Sequence, residues 1–242
     1  MKISYIAPTP LLDQQEVSRR LGLLKDWADP NTEINVVCVS EGPLNLLSKY
    51  EEYLSIKPIA EKVVLLEKEE YNAAILGCFL DPGLDAMREI TTKMLVVGIG
   101  EVSILIAAML GHKFSIITLF ESMITTNREL TYKAGVSEKL ASIRFLDITV
   151  SDLMENKKLA TEKILEVGKK ALKNDGADCL ILGCGSMGFL NIDNEISSLL
   201  KIPVVNPPKV ALKITESLAG IGLTHSKKAF VTPILFSGKI KK

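Results

Sequence analysis

The chain has 242 residues, enough to bury a large core in one or two domains, and its 29 basic and 29 acidic side chains leave a formal net charge of zero. A nucleic-acid partner normally leaves a basic excess, and a bilayer span needs a long uninterrupted apolar run; the chain has neither. The opening Met1-Lys2-Ile3-Ser4-Tyr5 enters a strand at once without a signal peptide's layout, and four cysteines in such a pattern fit a reducing cytoplasm better than a disulfide scaffold.

In chain order, apolar runs predict strands near residues 2–7, 33–38, 72–77 and 94–98, then near 114–118, 142–148, 178–182 and 203–206. Helical patterns fill the gaps: 14–28, 44–67 with Pro58 as a candidate break, 83–91 and 102–110, then 122–134, 157–174, 192–200 and 210–218. Asp81-Pro82 reads as a capping acid before a proline at the first helical position, and Gly111 as a C-cap. Strands alternating with helices imply mainly parallel sheets. Eight strands in two similar groups predict an α/β protein of two pseudo-symmetric, doubly wound lobes, each with a four-stranded sheet and with the active-site cleft between them. The expected division is 1–98 together with 207–242, and 99–206, with joins at Gly98-Ile99-Gly100 and Asn206-Pro207-Pro208. After Gly222 the tail has no clear period, though Ala229-Phe230-Val231 and Ile234-Leu235-Phe236 are apolar enough to pack on this or another subunit.

The two halves can be compared directly. Lys2-Ile3-Ser4-Tyr5-Ile6-Ala7 opens the first and Lys113-Phe114-Ser115-Ile116-Ile117-Thr118 the second. Each half then reaches a cysteine after an apolar run and a glycine: Cys78 in Ile75-Leu76-Gly77-Cys78-Phe79, and Cys184 in Leu182-Gly183-Cys184-Gly185. A cysteine inside a strand, such as Cys38 or Cys179, is expected to be a small buried hydrophobe. Cys78 and Cys184 instead close strands at the end where α/β proteins build sites, and a following helix N-terminus favours a thiolate. Two thiols at equivalent strand ends suggest two bases facing one carbon from opposite sides, as proton removal and return at a stereocentre requires.

Other chemistries find less support. Gly183-x-Gly185-x-x-Gly188 follows a strand, but the ribose-binding acid of a dinucleotide site is missing; Asn206 and two prolines stand in its place. Those glycines suit close approach of backbone amides to a small anionic ligand. His112 and His225 lack metal-site spacing, and no G-x-S-x-G is present.

With these residues in view, the chain resembles the aspartate/glutamate/hydantoin racemase superfamily, and within it the hydantoin and allantoin racemases. Gly77-Cys78-Phe79-Leu80-Asp81-Pro82-Gly83-Leu84-Asp85-Ala86-Met87-Arg88-Glu89 looks like that family's first cysteine motif. Val96-Val97-Gly98-Ile99-Gly100-Glu101 is similar to its crossover, and Gly183-Cys184-Gly185-Ser186-Met187 to its second cysteine motif, usually Gly-Cys-Ala-Gly-Met. The resemblance runs from about residue 1 to about residue 223.

The resemblance implies a cofactor-independent racemase, commonly a homo-oligomer, acting on a small molecule with Cys78 and Cys184 as paired acid and base. The loop after the first strand, here Pro8 and Thr9, and the segment around Thr118 would hold the substrate's carbonyl or carboxylate groups. Backbone N–H groups at Gly185, Ser186, Thr118 and the Phe79 turn are candidates for stabilising an enolate. Three departures bear on the substrate. The family's Asn-Pro-Asn-Thr becomes Ala7-Pro8-Thr9-Pro10, a second threonine becomes Leu119, and an Asp-Gly becomes Asn206-Pro207. Two other readings stand beside racemisation: a related isomerisation or decarboxylation on the same fold, and a non-catalytic small-ligand-binding protein.

Overall fold

A computed structural model gives the fold and describes residues 1–10 and 12–236. The elements run β1 (Lys2–Ala7), α1 (Gln14–Trp27), β2 (Glu33–Cys38), α2 (Lys49–Lys68), β3 (Ala73–Leu76), α3 (Leu84–Ile90) and β4 (Leu95–Gly98). They continue with α4 (Ile99–Leu110), β5 (Phe114–Thr118), α5 (Ile124–Lys133), β6 (Leu140–Phe145), α6 (Val150–Glu155), α7 (Lys157–Asp175) and β7 (Cys179–Leu182). The last are α8 (Gly185–Gly188), α9 (Asp193–Leu200), β8 (Val204–Val205) and α10 (Pro207–Gly220).

The strands form two four-stranded sheets, ordered β2-β1-β3-β4 and β6-β5-β7-β8, and every neighbouring pair is parallel. The same winding therefore occurs twice. Local chemistry sets the helix starts. Asp13 accepts the Glu16 N–H at 2.7 Å to begin α1, and Thr149 and Asp152 form a reciprocal capping box at α6. The inner strands β3, β5 and β7 are buried along their whole length, as apolar strands covered on both faces must be, and so is edge strand β4.

One compact unit comprises Met1–Gly77, Asp81–Gly98 and the chain from Ala211. Its core includes Ile6, Val63, Leu76, Met87 and Val96. Glu216 of α10 accepts the Asp29 N–H at 2.7 Å, and Lys213 pairs with Asp29 at 2.5 Å. The tail packs on this unit too. The Val96 N–H, on edge strand β4, donates to His225 Nε2 at 2.8 Å, and Lys227 Nζ donates to the carbonyls of Arg88 and Glu89 that end α3. Ile234–Phe236 form one exposed 3-10 turn, and residues 237–242 lie outside the described residues.

The second unit comprises Cys78–Leu80 and Ile99–Val210. Its core gathers Phe79, Ile104, Ala107, Phe114, Ile116, Ile181 and Val205.

Several local expectations are corrected. Asp81 does not cap α3: the N-cap is Gly83 at φ 65°, and Asp81 itself sits at φ 48° with its buried carboxylate pressed on the Cα of Gly98. Pro58 does not break α2, which runs unbroken with that proline buried. Helix α4 begins directly after β4, β6 starts at Leu140, and α6 and α8 are additional. Among the described residues no helix is long and apolar enough to cross a membrane.

Candidate active site

Each sheet delivers a cysteine in the same way. β3 ends at Leu76, Gly77 donates its N–H to Ile6 O of central strand β1 at 2.8 Å, and Cys78 follows. β7 ends at Leu182, Gly183 donates to Ile117 O of central strand β5 at 2.7 Å, and Cys184 follows. Neither glycine has a positive φ, so neither is required by a left-handed turn. Both are required by crowding: a Cβ would lie 2.6 Å from Ile6 O at Gly77 and 2.8 Å from Ile117 O at Gly183. Both cysteines thus stand beyond the carboxyl end of the third strand in their sheet order, where α/β folds place ligands.

Cys78 is half-buried, and Cys78–Leu80 is counted with the second unit. Phe79 explains this placement. Its ring is 2% exposed within that unit's core, and its carbonyl lies so close to Gly100 that a side chain there would overlap it. Cys184 is half-buried as the N-cap of α8, in extended backbone with its N–H donating to Leu182 O at 2.7 Å. No disulfide joins any of the four cysteines. Cys179 is fully buried, and burial with the Asp178 charge beside it pushes its thiol up to about 12. Cys38 is only half-buried, at the carboxyl end of β2 rather than inside it. Burial still raises its pKa, against the Leu12 N–H and the charges of Arg20 and Lys62.

The other expected site residues divide between the units. Pro8 is buried and Thr9 half-buried after β1, in the first unit. Thr118, Gly185 and Ser186 lie in the second unit with Cys78, Phe79 and Cys184. Thr118 is fully buried and its hydroxyl donates to Met123 Sδ at 3.4 Å, while Gly185 and the half-buried Ser186 form the single turn after Cys184. The third glycine of the Gly-rich motif, Gly188, packs on this chain's own Asn206 and Pro208 rather than opening toward a pyrophosphate. Among the described residues no three His, Cys, Asp or Glu side chains cluster as metal ligands.

One group escaped the sequence reading. Asn206, Asp193 and Lys209 form a hydrogen-bonded network behind α8, with Asn206 and Asp193 buried. Its signal was in the sequence: an asparagine followed by proline marks a helix start, and α10 begins there.

Comparison with known proteins follows the same outline. The family model of Asp/Glu/Hydantoin racemase matches residues 21–215. Hydantoin racemase of Pseudomonas sp. (strain NS671) is 31% identical over 227 residues, covering 94% of this chain and 89% of that protein. Hydantoin racemase of Paenarthrobacter aurescens is 32% identical over 197 residues, covering 81% and 82%. The structure of allantoin racemase from Klebsiella pneumoniae superposes with a TM-score of 0.88 at 29% identity, covering 96% of this chain and 93% of that one.

Proposed function

The chain belongs to the Asp/Glu/hydantoin racemase family, and on that premise we propose that it racemises a hydantoin-like or amino-acid-derived compound by proton transfer between Cys78 and Cys184. It is a racemase by family; the two-thiol chemistry and the substrate class are our reading. The observation that carries the reading is the repeated strand–glycine–cysteine station, built twice with the same hydrogen bond and the same crowding.

One cysteine, as thiolate, takes the proton from the carbon next to a carbonyl and becomes a thiol. The electron pair moves onto the carbonyl oxygen as an enolate. The other cysteine, as thiol, returns a proton to the opposite face and is left as thiolate, so the next turnover of the same enantiomer requires both to reset. Backbone N–H groups at the Phe79 turn, Gly185 and Ser186 supply donors for the enolate oxygen. Thr118 is not assigned as a donor: its hydroxyl is given to Met123, and its backbone lies in the β5–β6 ladder opposite Phe145. No electron-sink cofactor is needed where the substrate's own carbonyls acidify the carbon.

A five-membered hydantoin ring suits such a site better than a free amino acid. Pro8 offers no N–H and Ala7 no amide side chain, so the loop after β1 has few donors for a carboxylate. The test is a screen for exchange of the α-proton in heavy water across 5-substituted hydantoins, allantoin, aspartate and glutamate. Exchange with loss of optical rotation on a hydantoin supports the reading; exchange on aspartate or glutamate alone overturns the substrate class.

A further inference from the structure

We infer that Asn206 is the positioning residue for Cys184. The inference rests on the two-thiol reading above and adds to it a residue outside the reacting pair. Asn206 follows Val205, the β8 partner of Ile181, and is 1% exposed. Its Oδ1 accepts the Lys209 N–H at 3.4 Å, capping α10, whose first two residues are prolines with no N–H of their own. Its Nδ2 donates to Gly188 O and to Asp193 Oδ1, both at 2.9 Å. Asp193 is itself buried and receives Lys209 Nζ on Oδ2 at 3.1 Å. Both amide hydrogens are therefore used, on partners that are themselves fixed.

Gly188 connects this network to the thiol. It is the last residue of α8, and its N–H donates to Cys184 O at 3.2 Å. One hydrogen-bonded turn separates Cys184 from the Asn206 amide. A single turn is too short to hold itself, because helix nucleation is unfavourable. The position of α8 is set from outside, and Gly188 packs so closely that a Cβ there would lie 2.6 Å from Asn206 Oδ1 and 2.5 Å from Pro208 Cδ. An aspartate at 206 would lose both donors and set a second carboxylate against Asp193. Cys78 has a different support: Phe79, buried in the core and resting on Gly100. Loss of the Asn206 amide is thus expected to disturb one thiol and spare the other.

That one-sidedness is the test. Asn206→Leu keeps the side-chain volume and removes the donors; Asp193→Asn is the milder second variant, keeping an acceptor for Asn206. The probes are D- and L-5-benzylhydantoin in heavy water, read by deuterium incorporation, with Cys184→Ser and Cys78→Ser defining which enantiomer each thiol serves. In Asn206→Leu the enantiomer served by Cys184 should exchange about 10- to 100-fold more slowly, the cost of a misplacement near 1 Å, while the other stays within about twofold. Asp193→Asn should show the same pattern to a smaller degree, and carries the test if Asn206→Leu does not fold. Equal loss for both enantiomers, or no loss, overturns the inference. If the serine variants show no enantiomer preference, or the probe does not exchange, the two-thiol or hydantoin reading has failed, and iodoacetamide labelling decides positioning by itself. A several-fold change in the Cys184 rate in Asn206→Leu with the Cys78 rate unchanged supports it; equal or absent changes overturn it.

Discussion

Gly77 and Gly183 hold the same station in two different sheets, each giving its N–H to the central strand and each leading directly into a cysteine. The equivalence lies in backbone contacts rather than in matching side chains, since the neighbours are Tyr5 and Ile6 in one sheet and Ile116 and Ile117 in the other. Gly183→Ala must push β7's end off β5, an overpacking cost of about 1–3 kcal/mol. A lower midpoint in urea and loss of most exchange activity are expected; a variant with wild-type midpoint and rate would show that this crowding does not place the cysteine.

Thiol reactivity should separate the four cysteines. Cys179, fully buried and with its thiol pushed up to about 12, should resist iodoacetamide near pH 7.5 while the protein is folded. Cys38 should react slowly, because burial raises its pKa although part of it is reachable. Cys78 or Cys184 should be labelled first, with activity falling in step and a bound substrate slowing both. A mass-spectrometric time course in which Cys38 leads, with no loss of activity, contradicts the site assignment.

The alternation of strands and helices was legible because the inner strands are continuous apolar runs, and their burial on both faces leaves no other pattern. The two cysteines were legible by position, each closing such a run. Helices α6 and α8 were not. Their six and four residues are too short for a period to emerge, and α8 is a single turn whose last carbonyl is bonded by the distant Asn206. Asp81 misled for a related reason. Asp-Pro is a good local helix start, but tertiary packing turns that carboxylate onto Gly98 and leaves the cap to Gly83. The Asn206 network joins the start of α10 to α8 and α9, which no short local pattern brings together.

Acid should reveal the ion pair beside β6. The Arg144 hydrogen bond holds the Asp175 carboxyl below its ordinary range; burial opposes this, and Ser142 and the Arg144 charge reinforce it. With the folded pKa depressed, this contribution is complete above the unfolded carboxyl's value of about 3.9 and is lost as pH falls through the lower folded value. The stability gap between wild type and Asp175→Asn should be constant above about pH 5 and close as the pH falls below about 4. Urea melts at a series of pH values measure it; a gap that widens in acid contradicts the pairing.

Catalysis is expected to survive EDTA and exhaustive dialysis, because the proposed step moves a proton between two side chains and draws on nothing else. Activity lost on dialysis and restored by one metal ion or one nucleotide would rule out the mechanism.

The most direct measurement follows deuterium into D and L substrate separately, using Cys78→Ser and Cys184→Ser. A serine hydroxyl is too weak a base near neutral pH, while the remaining thiol can still take a proton from its own face and return one there. Each variant should lose racemisation yet exchange the α-proton of one enantiomer, and the two variants should choose opposite enantiomers. Full racemase activity in either variant would contradict the two-thiol account.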